Sequence, residues 1–263
     1  MRELIIVEGL PCSGKSSAAR YIADKFDMKC FDEDSGKHPA DYEFHAFVQA
    51  SELDKFSHSE RNRIVKKSER KYGGVVVPLA EFQGELFNRL LQYKIYDFLP
   101  WETEKTVMLG KWREFAENKK PDEGYVFNCV LLQNPMCETM MRFDLPLTES
   151  EEYISEICGI IKDMNPLVVY LENNDIGDSV NMAVDERGND WLDAVIDYHC
   201  GGAYGKSKQL SGFDGYISAL EERQRRELEI LSRVNIDKVV LVDPQRDWKT
   251  AYRVLDKRLS EMM

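Results

Sequence analysis

A chain of 263 residues with 47 acidic against 35 basic side chains carries a net charge of −12 at pH 7. That excess has the wrong sign for counterion release from a phosphate backbone, so nucleic-acid binding by bulk charge is excluded and only a local basic pocket is left open. Hydrophobic residues at 43% and aromatics at 11% can build a sizeable core, which excludes disordered and collagen-like classes.

The chain opens on a β-branched apolar run at 3–8, which reads as a buried parallel strand, and helical periodicity follows at 14–26. A weaker strand, Met28 to Asp32, ends in the acidic cluster Asp32, Glu33 and Asp34. Further strands are predicted at 124–130, 167–172 and 236–242, and helices at 57–71, 81–97, 103–120, 148–164, 214–233 and 246–260. Such alternation predicts an α/β fold of three layers around a five-stranded parallel sheet. Two stretches exceed simple crossovers, 35–123 and 173–235. With no repeat or Gly/Ser linker, they read as a helical insertion and a lid insertion of one domain, 1–263, whose core is 1–34, 124–172 and 236–263. The start lacks a basic region and a long apolar stretch, and the six cysteines are scattered without zinc spacing. Both features predict a protein with no membrane span and reduced thiols, hence a cytoplasmic location.

Between the first strand and first helix lies Gly9-Leu10-Pro11-Cys12-Ser13-Gly14-Lys15-Ser16, the pattern G-x-x-x-x-G-K-[ST] in the context its mechanism needs. The glycines let successive N–H groups turn inward, the helix N-terminus adds partial positive charge, Lys15 reaches the β and γ phosphates, and the Ser16 hydroxyl ligates Mg²⁺. The expected cofactors are therefore ATP and Mg²⁺, with Gly9, Cys12, Ser13, Gly14, Lys15, Ser16 and Ser17 around the nucleotide. Lys15 is expected to be exposed in the empty loop. A second cluster, Gly201-Gly202-Ala203-Tyr204-Gly205-Lys206-Ser207, fails the spacing and follows a predicted helix, so it reads as a hinge, with Lys206 and Lys208 either solvated or touching phosphate.

The segment EGLPCSGKSS resembles the P-loop kinase branch that includes adenylate, thymidylate, gluconate and shikimate kinases. The chain is also similar to bacterial P-loop proteins that share an EGLPGSGKS loop, an acidic-then-HPxD segment (here Asp32 to Asp41) and a strand followed by LQNP (here Leu132 to Pro135). The resemblance implies a phosphotransferase, with 35–123 holding a small-molecule acceptor and 173–235 acting as a lid. Phe31 to Asp34 is similar to an F-x-D-x-D in which one carboxylate supports the metal and the other holds the acceptor hydroxyl. Asp32 and Asp34 inherit those roles, and an acidic turn that only caps the next segment is the alternative. Where the third strand of the branch carries a metal carboxylate this chain has Asn128, a departure that Asp32 would have to offset; Glu172 is the rival metal carboxylate. Lid arginines neutralise developing charge in the branch, which points to Arg187 among Arg187, Arg223, Arg225 and Arg226, the rest pairing with helix-spaced glutamates. The loop after the fifth strand flanks adenine there, placing Pro244 and Arg246 near the base. Arg142, after the third strand, is positioned to grip an anionic acceptor. Cys12 stands where the similar sequences have Gly; the helix N-terminus and Lys15 favour its thiolate, unless the thiol turns away from the phosphates. The rival class is a regulatory nucleotide-binding NTPase or switch without an acceptor.

Overall fold

The computed structural model describes residues 2–33 and 36–262. Along the chain run β1 (Leu4–Gly9), α1 (Lys15–Phe26) and β2 (Lys29–Phe31), then β3 (His45–Gln49), α2 (His58–Lys67), β4 (Glu69–Lys71), β5 (Gly74–Pro78), α3 (Gly84–Leu91), the single turn α4 (Ile95–Phe98) and α5 (Trp101–Asn118). There follow β6 (Tyr125–Asn128), α6 (Gln133–Met136), α7 (Leu147–Ile161), β7 (Leu167–Glu172), α8 (Ile176–Arg187), α9 (Asn189–Cys200), α10 (Ala203–Lys208), α11 (Gly212–Arg233), β8 (Asp237–Val242) and α12 (Trp248–Met262). Two compact units result, residues 1–32 with 118–263, and residues 33–117.

The larger unit holds the parallel sheet in the order β2-β6-β1-β7-β8. β1 is buried along its whole length because helices cover both faces of the sheet, which is why it reads as a continuous apolar run. On one face Ile5, Val7, Val169 and Leu171 pack with Ala18, Ala19 and Ile22 of α1 and Leu255 and Leu259 of α12. Tyr170 alternates to the opposite face and donates to Glu227 of α11 at 2.6 Å. Each fully buried Ile, Leu or Val contributes about 1.5–3 kcal/mol, so this sheet anchors the residues at its carboxyl edge. No described helix is long and apolar enough to cross a membrane.

The predicted lid region is four helices, α8 to α11. The expected hinge at 201–207 is instead well packed: a side chain at Gly202 would collide with the Met141 carbonyl, and the helical turn α10 starts at once. Lys206 and Lys208 are exposed.

The smaller unit departs from the all-helical expectation. It carries an antiparallel sheet ordered β3-β5-β4 under α2 and α3, with Val48, Val75, Val77, Ile64, Leu86 and Leu90 in its core. The helix expected over 57–71 starts at the Ser57 capping box with Glu60 but stops at Lys67, because Ser68 is extended and Glu69–Lys71 pairs with β5. Tyr72 (φ 53°) and Gly73 (φ 76°) form the two-residue turn, positive at both positions as a tight right-twisted hairpin needs.

Burial also sets an acid limit on stability. His199 of α9 is buried against Tyr216, with ring centroids 5.2 Å apart, and desolvation aided by the Arg223 charge pushes its pKa down to about 3. Neutral when folded and free to charge when unfolded, it contributes stability that is intact above about pH 6.5 and is lost as the pH falls. His199→Gln should therefore flatten the stability-versus-pH slope between pH 6 and 4 by about 1.4 kcal/mol per pH unit. Urea melts across that range test it; an unchanged slope would mean that His199 protonates in the native state.

Candidate nucleotide and metal site

The phosphate loop leaves β1 and turns into α1 at two glycines that geometry demands. Gly9 has φ 146°, and a Cβ there would come within 2.6 Å of the Leu171 carbonyl oxygen. Gly14 has φ 88° at the N-cap of α1, and a Cβ there would collide with the Trp248 ring. Within the loop the Ser13 N–H donates to the Leu10 carbonyl at 3.3 Å, and Cys12 also has a positive φ of 65°. Alternating backbone signs of this kind make the concave N–H surface that anions occupy. Gly14→Ala should lower stability by about 2–5 kcal/mol, from left-handed strain plus displacement of the indole, and should abolish nucleotide binding. Denaturant unfolding checks the first effect; a variant as stable as the wild type would show that the Trp248 contact is slack.

Register then assembles three polar side chains at the sheet's carboxyl edge. Phe31 pairs with Phe127 and Val7 with Asn128, so Asp32, just past β2, and Asn128, ending β6, arrive beside the start of α1. The Asn128 Nδ2 donates to Ser16 Oγ at 3.0 Å and to Asp32 Oδ1 at 3.2 Å, while its Oδ1 is buried without a partner among the described residues. All three residues named from sequence as metal ligands, Ser16, Asp32 and Asn128, thus meet. A hydroxyl and one carboxylate are hard oxygen donors, whereas Asn128 turns its amide nitrogen to them, and a single carboxylate suits Mg²⁺, which keeps waters and phosphate oxygens as its other ligands. Among the described residues no group of three or more His, Cys, Asp or Glu could hold a metal ion. Glu172, the rival carboxylate, ends β7 in register with Val242, and no hydrogen bond of the described residues links it to Ser16 or Asp32. Asp34 lies outside the described residues.

Other residues singled out from sequence divide sharply. Lys15 is not exposed: it is 8% accessible, and its Nζ donates to the Leu10 carbonyl of the loop at 3.0 Å. At Cys12 the quieter of the two alternatives is favoured. Burial pushes its thiol pKa up, and the Arg187 and Lys15 charges oppose this less strongly, so the thiolate is disfavoured. Ser17, the third residue of α1, faces solvent.

Arg223 is fully buried and bound to Glu227 at 2.6 Å, Arg225 to Glu222 and Glu229 at 2.7 Å each, and Arg226 to Glu222 at 2.8 Å. Arg187, by contrast, makes no ion pair with a described residue, lies 5.2 Å over the Trp191 ring and acts electrostatically on Cys12 of the loop. Arg142 is already paired with Glu138 at 2.6 Å.

On the predicted adenine flank, Pro244 is buried and Arg246 lies 3.6 Å from Asp175 on the surface. Sequence reasoning missed two neighbours of the loop. Trp248 packs on Gly14 and stacks on Tyr252, which stacks on Tyr21 of α1. Its signal was the small residue at position 14, which left room for a ring. Glu8, whose carboxylate is wholly buried, was read only as the end of a strand. In the smaller unit the HPxD segment turns inward: Asp41 Oδ1 accepts from the Tyr42 N–H at 2.7 Å and the Tyr96 hydroxyl at 2.6 Å.

No protein-family model matches the sequence, and no curated protein does. Among solved structures the chain is similar to deoxyadenosine kinase from M. mycoides (14% identity, TM-score 0.47, covering 98% of this chain and 99% of that one). It is also similar to the YorR protein from Bacillus subtilis (10%, TM-score 0.46, 99% of each) and to thymidylate kinase from Candida albicans (10%, TM-score 0.43, 98% of this chain and 92% of that one).

Proposed function

We propose that the chain is an ATP- and Mg²⁺-dependent phosphotransferase that moves the γ-phosphate to a hydroxyl or phosphate of a small molecule. The observation that carries this reading is the convergence of the phosphate loop with Ser16, Asp32 and Asn128 at the carboxyl ends of three adjacent parallel strands. The loop N–H groups bind the phosphate chain. Lys15 exchanges the Leu10 carbonyl for phosphate oxygens, a move that relieves a buried ammonium of a neutral partner. Ser16 and Asp32 would hold Mg²⁺, with Asn128 hydrogen-bonded to both through its amide nitrogen, and the ion would supply charge neutralisation on the phosphates. Arg187, unpaired among the described residues and within electrostatic reach of Cys12, is assigned the charge developing on the transferred group. Asp34, two residues beyond Asp32, is assigned the acceptor proton, and Pro244 and Arg246 the base. The insertion at 35–123 is assigned acceptor choice.

One observation favours the rival reading as a regulatory NTPase: an uncharged amide stands at the end of β6 where catalysis is served by a carboxylate. An acceptor screen separates the two. Purified protein, ATP and Mg²⁺ with a panel of nucleosides, nucleotides and sugars should yield one product heavier by a single phosphate in mass spectra. ATP loss with every candidate acceptor unmodified would favour the switch.

A further inference from the structure

Glu8 ends the apolar part of β1, one residue before the phosphate loop, and is fully buried. A carboxylate in such a place costs several kcal/mol unless hydrogen bonds compensate it. Three backbone donors do so: Oε1 accepts the N–H of Leu131 at 2.7 Å and of Leu132 at 2.9 Å, and Oε2 accepts the N–H of Gln133 at 3.2 Å. Those amides belong to the turn that leaves β6 directly after Asn128.

That turn would not hold its shape unaided. Cys129 has φ 61° and Val130 φ 87°, and positive φ at a β-branched residue is strained backbone that persists only where its surroundings enforce it. The enforcement comes from β1: the Cys129 N–H donates to the Val7 carbonyl at 2.8 Å, and the Glu8 carboxylate takes the amides of Leu131, Leu132 and Gln133. One end of the turn is Asn128, whose amide touches Ser16 and Asp32. Glu8 is itself bonded through the backbone to Gly9, the first residue of the loop. A single side chain therefore spans the phosphate loop and the residue that faces the metal ligands.

We propose that Glu8 is a positioning residue, its carboxylate coupling the phosphate loop to the turn at 129–133 so that phosphates seated on the loop fix the place of Asn128. The coupling rests on the phosphotransferase reading for its ligand. Electrostatics agree with a residue balanced between opposing influences. Burial raises the Glu8 pKa to about 7, with the Glu227 charge adding to the rise, whereas the Leu131 and Leu132 amides and the Lys15 ammonium draw it down. Moving Lys15 onto phosphate changes the field at Glu8 directly.

Amide hydrogen exchange at Leu131, Leu132 and Gln133, with and without a non-hydrolysable ATP analogue and Mg²⁺, tests the coupling. In the wild type, bound analogue should slow exchange there by about tenfold or more. Glu8→Gln keeps the shape but offers one acceptor oxygen instead of two. It should bind the analogue within about threefold of wild type, lose the nucleotide-dependent slowing, and turn over ATP about 10–100-fold more slowly at little-changed KM. Wild-type amides that ignore bound analogue, or a Glu8→Gln protein that responds as the wild type does, would overturn the proposal. Calorimetry of the analogue is read separately: no binding to the wild type at all would overturn the phosphotransferase reading as well. If circular dichroism shows Glu8→Gln to be unfolded, the wild-type response alone decides.

Discussion

Lys15→Ala is expected to reduce ATP turnover by about 10³-fold or more, because no other described cation lies in the loop to meet the phosphate charge and electrostatic stabilisation is the main catalytic resource in phosphoryl transfer. The structure adds a second, smaller effect. Since Lys15 is buried with its ammonium on the Leu10 carbonyl, truncation leaves that carbonyl without its donor and should cost about 1–3 kcal/mol of stability. Lys15→Met, which keeps the stem, separates the two: stability should return most of the way while turnover stays at the background. Denaturant melts and turnover assays on both variants check this. A Lys15→Met protein with near-normal turnover would remove the loop from the mechanism.

Asp32→Asn is expected to lose about 10²–10³-fold in turnover and to raise the Mg²⁺ concentration for half-maximal activity, because it removes the one charged ligand of the set. Stability should change by less than about 1 kcal/mol, since the ion pair lost is with Arg20 at 2.8 Å on a largely exposed guanidinium. Activity and melting point are thereby predicted to separate. A variant that is fully active at unchanged Mg²⁺ would mean that Asp32 serves only its surface pair with Arg20 and the turn that follows β2.

The phosphate loop was legible because its chemistry is local: spacing, two glycines and a flanking strand and helix are all contiguous. The core strands were legible because burial on both faces leaves an unbroken apolar run. The meeting of Ser16, Asp32 and Asn128 was reached only through resemblance to a family's strand order, since residues separated by 96 and 112 positions have no spacing signal. β3, β4 and β5 were missed where polar Glu69–Lys71 continued a helical pattern and a Tyr-Gly turn hid the hairpin. Lys15 was misjudged, and Cys12 left between two readings, for one reason: their environment is set by how deeply the folded loop is buried, which periodicity does not report. Glu8 was the least legible residue. A carboxylate closing an apolar strand acquires its meaning from amides more than 120 positions away.

Phosphate is expected to leave ATP for an acceptor and not for water. The most direct measurement follows a γ-phosphate label in the presence of Mg²⁺, the wild-type protein and the mixed acceptor panel, with Lys15→Ala as the blank. Label should appear on one organic acceptor faster than it appears as inorganic phosphate, and be absent from the blank; label recovered only as inorganic phosphate at a rate indifferent to the panel would contradict transfer.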